Sequence, residues 1–295
     1  MRIANLSGRL VIVTGEPGAE TAYDVEKNSR DRFGSRPQAV YDEWAEFVSW
    51  AAAADLAGGT AVDPGELGSP APEPRQVLAI GLNYRDHAAE SGFDAPSGEP
   101  PVFTKFPSCI TGPRATITLP PGGHNDWEVE LVAVIGRRAY QVTAEDALSY
   151  VAGYAVGQDL SERILQMAAG PPQFSMGKSL PGFGPVGPWL VTLDDLDDPD
   201  DLELSCAVNG EQMQHSRTSN LIFPVPALVA RLSATLPLLP GDVIFTGTPA
   251  GVGLGREPQR WLAPGDVLTS RIEGIGEMRH TFAAAGDGTT THNPV

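Results

Sequence analysis

The densest chemistry in the chain lies in Asp126-Trp127-Glu128-Val129-Glu130-Leu131-Val132-Ala133-Val134-Ile135. Alternate residues of a strand share a face, so Asp126, Glu128, Glu130, Val132 and Val134 line one side. Trp127, Val129, Leu131, Ala133 and Ile135 take the other. The acidic side runs straight into valine, which marks a strand buried on both faces. Two adjacent carboxylates entering a core repel each other and lose hydration, at several kcal/mol per ion. A divalent cation relieves both effects. A solvated rim at the start of the strand relieves them as well, and the pattern leaves both readings open. A third acid, Asp159, ends the strand-like run Val151-Ala152-Gly153-Tyr154-Ala155-Val156-Gly157-Gln158. The following segment from Leu160 to Gln166 reads as a helix, stopped by Gly170-Pro171-Pro172. Asp159 is either the N-cap of that helix or a third oxygen ligand. Arg163 and Gln166, four and seven residues on, share a helical face beside it. Such a set holds a hard cation and recognises an anion. Magnesium and manganese favour carboxylate and water ligands, and zinc fits less well without a His–Cys set.

A second constellation is Gly81-Leu82-Asn83-Tyr84-Arg85-Asp86-His87-Ala88-Ala89-Glu90-Ser91-Gly92. If His87 to Glu90 is one helical turn, the two side chains share a face. A carboxylate beside an imidazole raises its basicity and fixes its tautomer, which is how a general base is built. The alternative is a surface pair without a role. Glycines at 81 and 92 suit a segment that orders and disorders as a lid does.

Short strands and many turns must position these groups. Glycine (33) and proline (27) make up about a fifth of the 295 residues, and both are poor in element interiors. That composition disfavours a helical bundle or a doubly wound sheet. Residues 1–62 form a small N-terminal α/β unit, with a strand at Leu10–Thr14 and a helix from Val40 to Asp55 carrying Tyr41, Trp44, Phe47, Val48 and Ala51 at helical spacing. Residues 63–75, rich in proline and glycine, read as a linker. A second unit, 76–283, opens on the apolar strand Val77–Ile80. Two Pro-Gly-Asp turns, at 240–242 and 264–266, launch the strands Val243–Thr246 and Val267–Ile272. Helical pattern recurs at 160–169 and 226–235. Residues 284–295 have no period and read as a flexible tail.

The formal net charge is −17, from 20 Lys+Arg against 37 Asp+Glu. Nucleic-acid binding draws on clustered cations, so that class is disfavoured. An anionic small substrate is not, because local field matters more than total charge. Cys109 and Cys206 are too few for a disulfide framework. The first residues lack a signal peptide's apolar run, and no stretch of about 18 apolar residues spans a membrane. The expectation is a cytoplasmic protein. Gly251-Val252-Gly253-Leu254-Gly255-Arg256 fails as a dinucleotide fingerprint because Arg256 stands where the third glycine belongs. Gly177-Lys178-Ser179 fails as a phosphate loop because Pro172 replaces its first glycine. The acidic run 194–201 lacks the glycine and closing Glu of a calcium loop and reads as a solvated surface.

Taken in order, Gly81–Glu90, Phe103–Pro113, Asp126–Gly136, Gly153–Gln166, Gly177–Gly187 and Gly241–Gly253 resemble the fumarylacetoacetate hydrolase family over residues 75–280. The closest likeness is to bacterial members, with a small N-terminal domain, that cleave 2,4-diketo acids of the acylpyruvate type. The resemblance implies an α+β fold, a mixed β-roll or sandwich catalytic domain with few helices, and a homodimer. It implies one Mg²⁺ or Mn²⁺ per subunit on Glu128, Glu130 and Asp159, with His87 and Glu90 as the lid dyad and Lys178 on a substrate oxygen. It places the substrate carboxylate on Thr246-Gly247-Thr248, with Thr248 as its ligand, and puts Arg163, Gln166 and Lys105 near the site. The implied reaction hydrolyses a C–C bond next to a 2-oxo acid through a metal-stabilised pyruvate enolate. Decarboxylation of oxaloacetate-like acids and isomerisation of hydroxydienedioates use the same intermediate, and a catalytically silent binding module is the non-enzyme alternative. Leu82 stands where some decarboxylating members carry Arg. The segment 170–176 matches no specificity signature.

Overall fold

The computed structural model describes residues 1–90, 96 and 98–286. Gly92 and most of the proposed tail lie outside this set. Of that tail, Ala284 closes the last strand, Gly276–Ala284, and a turn follows.

Among the described residues sheet dominates and helices are short; the longest, Val225–Thr235, spans 11 residues. The large sheet runs in the order Thr60–Ala61, Thr21–Asp24, Arg9–Thr14, Arg2–Leu6, Gly184–Val191, Val151–Gln158, Val129–Ile135, Val243–Phe245, Val77–Ile80, Val102–Thr104. A second sheet of five strands orders Glu211–Arg217, Glu203–Val208, Val267–Ile272, Gly276–Ala284 and Thr116–Leu119. Pairing is mixed: Val243–Phe245 runs parallel to Val77–Ile80, and most other pairs are antiparallel. This is the expected α+β architecture, and both Pro-Gly-Asp turns do launch strands.

Alternation along Val129–Ile135 explains the layering. Val129, Leu131, Ala133 and Ile135 join a core shared with Leu204, Leu268, Ile272 and Met278 of the small sheet. Val132 and Val134 enter a second core with Ile3, Leu10, Ile12, Tyr41, Phe47, Leu190 and Phe245. All seven residues of the strand are buried. At about 1.5–3 kcal/mol per fully buried aliphatic side chain, the strand is anchored firmly enough to carry charged groups at its start.

The second core also shows how residues 1–62 sit. Their first strand pairs with Gly184–Val191, at Arg2↔Val191 and Ile3↔Leu190, so the sheet crosses residue 62 without a break. Leu67–Gly68, inside the proline-rich stretch, pairs with Asn5–Leu6, and Ser69, Pro70 and Ala71 are buried. Residues 67–71 of that stretch are docked on the sheet, while 63–66 are exposed. The helix expected from Val40 to Asp55 is shorter, a 3-10 turn at Pro37–Glu43 followed by Trp44–Ala51.

Candidate metal centre and active site

Register brings the three acids together. Val129–Ile135 and Val151–Gln158 are antiparallel, with Val129↔Gln158 and Glu130↔Gly157 as partners. One step outward, the Asp159 N–H donates to the Glu128 carbonyl at 3.0 Å. Glu128 and Asp159 are therefore neighbours across the ladder, and Glu130 lies opposite a residue with no side chain. Carboxylate oxygens of Glu128, Glu130 and Asp159 lie within 4.8 Å of one another, and all three residues are buried.

The strand itself departs from the sequence reading. It is interrupted at Trp127 and Glu128, and Asn125–Asp126 pairs instead with Ser161–Glu162. Asp126 is consequently not part of the strand that carries Glu130. Its carboxylate is fully enclosed and accepts from the N–H groups of Trp127, Gly253 and Leu254 and from Arg163 Nε. The helix after Asp159 also differs. Arg163–Gln166 is a single turn capped by Glu162, whose carboxylate accepts from Ile164 and Leu165 N–H. The N-cap reading of Asp159 is thus corrected, and its side chain is free for the acidic cluster. Ser161–Glu162 pair as strand because Asn125–Asp126 supplies their ladder.

Three buried cations enclose the acids. Lys178 Nζ lies 2.9 Å from Glu128 Oε2, 2.7 Å from Asp159 Oδ2 and 2.7 Å from Ser161 Oγ. Lys105 Nζ lies 2.6 Å from Asp159 Oδ1 and also donates to the Lys178 carbonyl. Arg163 Nη2 bridges Asp126 Oδ2 at 2.7 Å and Glu128 Oε1 at 2.8 Å. Its Nη1 donates to Gln166 Oε1 at 2.9 Å. Burial alone would raise the Glu128 pKa, but Lys178 and Arg163 outweigh it and hold the group at about 2. Glu130 is the odd member. Burial and the charges of Asp159 and Glu128 push its pKa well above the carboxylate range, and its one strong donor is the Gly247 N–H at 2.7 Å. Burial favours a neutral Lys178, yet Asp159 and Glu128 win and its pKa is raised.

These residues fit a divalent ion. The donors are hard oxygens from three side chains on one buried cluster, and the cluster holds a carboxylate, Glu130, that cannot ionise cheaply without further positive charge.

His87 and Glu90 do share a helical turn, in Arg85–Glu90. His87 Nδ1 lies 3.5 Å from Glu90 Oε2, a contact rather than a tight hydrogen bond. His87 is buried. The helix hangs from Asn83, whose Nδ2 donates to the carbonyls of Thr246 and Phe223 and whose Oδ1 accepts from Phe223 N–H. Thr246-Gly247-Thr248 follows the strand Val243–Phe245. Gly247, at φ +102°, aims its N–H at Glu130 while packing on Asn83. Thr248 is buried; its hydroxyl donates to the Val129 carbonyl at 2.8 Å and accepts from Gln214 Nε2 at 2.8 Å.

Several groups here escaped sequence reasoning. Gln158 Oε1 accepts from the Glu128 N–H and its Nε2 reaches Ser270. Gln214 binds Val129 N–H and Thr248. Ser161 holds Lys178. Gln158 had a local signal, since strand parity places it beside Asp159 but on the opposite face. Gln214 sits on the second sheet, and nothing in the sequence ties it to the site.

With this geometry in place, comparison with known proteins is informative. Residues 76–283 match the family model described as fumarylacetoacetate (FAA) hydrolase C-terminal. A solved structure from Mycobacterium smegmatis, provisionally described as an HpcE protein, is 56% identical with a TM-score of 0.92, covering 97% of this chain and 100% of that one. The mitochondrial oxaloacetate tautomerase FAHD2A of Bos taurus is 44% identical over 70% of this chain and 66% of its own length. Maleylpyruvate hydrolase from Sphingobium, solved with manganese(II) and pyruvate, is 28% identical with a TM-score of 0.79 over 96% of this chain and 99% of that one.

Proposed function

The chain belongs to the fumarylacetoacetate hydrolase family, and on that premise we propose that it is a divalent-metal-dependent hydrolase cleaving a C–C bond of a 2,4-diketo acid. The observation that carries this reading is the buried convergence of Glu128, Glu130 and Asp159. Glu128, Glu130 and Asp159 would hold Mg²⁺ or Mn²⁺, which would supply Lewis acidity toward a 2-oxo acid. Manganese and pyruvate in the Sphingobium relative support the ion and the substrate class.

Charge balance supports an anionic substrate. Asp126, Glu128 and Asp159 are matched by Arg163, Lys178 and Lys105, and Glu130 makes no ion pair among the described residues. A dication with all four acids ionised leaves one surplus positive charge, which a single carboxylate cancels. His87, backed by Glu90, takes a proton from the water that attacks the remote carbonyl. Lys178 presents an ammonium where negative charge develops on the departing enol oxygen. Arg163 and Gln166, locked together, orient the anionic end. Thr248 contributes by fixing the Val129 end of the strand, and its further role toward the carboxylate belongs to the bound state.

A second reading, tautomerisation or isomerisation of a 2-oxo acid, is favoured by the 44% identity to an oxaloacetate tautomerase. Incubation with acetylpyruvate, oxaloacetate and a hydroxydienedioate, followed by product analysis, separates the two. Hydrolysis predicts pyruvate from acetylpyruvate; conversion of oxaloacetate tautomers alone would replace it. The metal reading is tested by Glu130→Ala with Mg²⁺ titration, and unchanged metal dependence would refute it.

A further inference from the structure

The glycine-rich stretch Gly251-Val252-Gly253-Leu254-Gly255, which failed as a dinucleotide motif, lies between the base and the acidic cluster. The Gly251 N–H donates to both oxygens of Glu90, each at 3.0 Å. The N–H groups of Gly253 and Leu254 hold Asp126 at 2.6 and 3.0 Å. Asp126 in turn grips Arg163, which touches the proposed metal ligand Glu128. Trp127 Nε1 adds a bond to the Gly251 carbonyl at 3.1 Å.

We infer that this turn is a positioning element that sets Glu90, and through it His87, relative to the metal centre. A helix of six residues has little stability of its own, so the place of Glu90 at its end is set from outside. Its carboxylate accepts from one backbone donor, the Gly251 N–H, in a turn that Asp126 holds two and three residues further on, at Gly253 and Leu254. The glycines are required by close approach. A Cβ at Gly251 or Gly253 would strike the Met213 or Arg260 carbonyl oxygen, at 2.1 and 1.9 Å, so substitution there disturbs backbone. Gly255 is different. The three atoms nearest to a Cβ there all belong to the Glu90 side chain, at 2.2 Å from Cγ, 2.3 Å from Cδ and 2.6 Å from Oε1. Gly255 is glycine so that the Glu90 side chain can lie across it.

The inference rests on the proposed role of His87 and Glu90 as the base, and its test is built to fail separately. In the full-length protein, Gly255→Ala should displace Glu90 without breaking the fold. We expect kcat to fall roughly ten- to hundred-fold while KM and Mn²⁺ affinity, read by direct Mn²⁺ titration, stay within about two-fold. A double-mutant cycle with Glu90→Ala supplies the decisive readout. Once Glu90 is removed, Gly255→Ala should cost nothing further in kcat or in thermal midpoint. The midpoint arm needs no activity, so it judges the contact even if the reaction assigned above is wrong. Additive losses in the two backgrounds, or a loss of Mn²⁺ affinity in Gly255→Ala, would overturn the inference.

Discussion

At the scale of single residues, the site is an arrangement of opposed charges that only works as a set. Lys178 touches two of the three proposed ligands, so its ammonium both neutralises them and is oriented by them. His87 makes no such contact with the acids, and its removal should leave them intact. His87→Ala is therefore expected to lower kcat by about 10²–10⁴-fold with Mn²⁺ affinity unchanged, checked by steady-state kinetics beside metal titration. Lys178→Met should act on both quantities. It leaves Glu128 with Arg163 and Asp159 with Lys105 but removes the charge they share, so metal binding should tighten while turnover is lost; retained turnover would remove Lys178 from the chemistry. The types and spacing of these residues were legible in the sequence. Their partners were not: that Asp126 serves Arg163, and that Glu162 rather than Asp159 caps the short helix, depends on a break in the strand that periodicity does not reveal.

At the scale of elements, the two single-turn helices Arg163–Gln166 and Phe174–Gly177 hold the cationic side of the site. They meet at Gly177, where a Cβ would lie 2.5 Å from the Gln166 backbone nitrogen and 2.8 Å from the Glu162 carbonyl oxygen. Close packing of backbone on backbone sets the distance from Lys178 to Arg163. Gly177→Ala should push the turns apart, costing about 1–3 kcal/mol of stability by overpacking and raising KM for the proposed anionic substrate; urea unfolding and kinetics would check it. The glycine and lysine of this segment looked like the remnant of a phosphate loop. The structure gives that glycine a packing role, which a motif search cannot distinguish from chemistry.

At the scale of the whole molecule, the N-terminal strands and the later sheet share one core. Ile3, Leu10, Ile12, Tyr41 and Phe47 cover Val132, Val134, Val186 and Phe245. Deleting residues 1–62 should therefore expose that face and the open edge of Gly184–Val191, giving aggregated protein; a soluble, monodisperse product in size-exclusion chromatography would contradict this. A second prediction concerns pH. His280, on the small sheet, is fully buried against the Gly112 carbonyl, and burial lowers its pKa from 6.5 to about 4. Between those values the unfolded chain binds a proton that the folded one refuses. Stability should thus fall as pH drops through this window, by about 3 kcal/mol near pH 4. His280→Gln, which keeps a donor for Gly112, should flatten that slope in thermal melts between pH 7 and 4.

Local physics sufficed to determine much of this protein from its sequence. Alternation marked Asp126–Ile135 as a strand, too long by its first three residues, and placed Glu130 on the face of Val132 and Val134; the turn chemistry of Pro-Gly-Asp located two further strands; the cost of burying adjacent carboxylates left a cation or a solvated rim to relieve it. Those inferences need only neighbours in the chain. What decided the site lies across the sheet: the register that sets Asp159 against Glu128, the Gly157 that leaves room for Glu130, the backbone donors at Gly247 and Gly251, and the N-terminal strands that close the core. Each is a pairing between residues far apart in sequence. No pattern within a segment carries it, because its energy exists only once the sheets have packed.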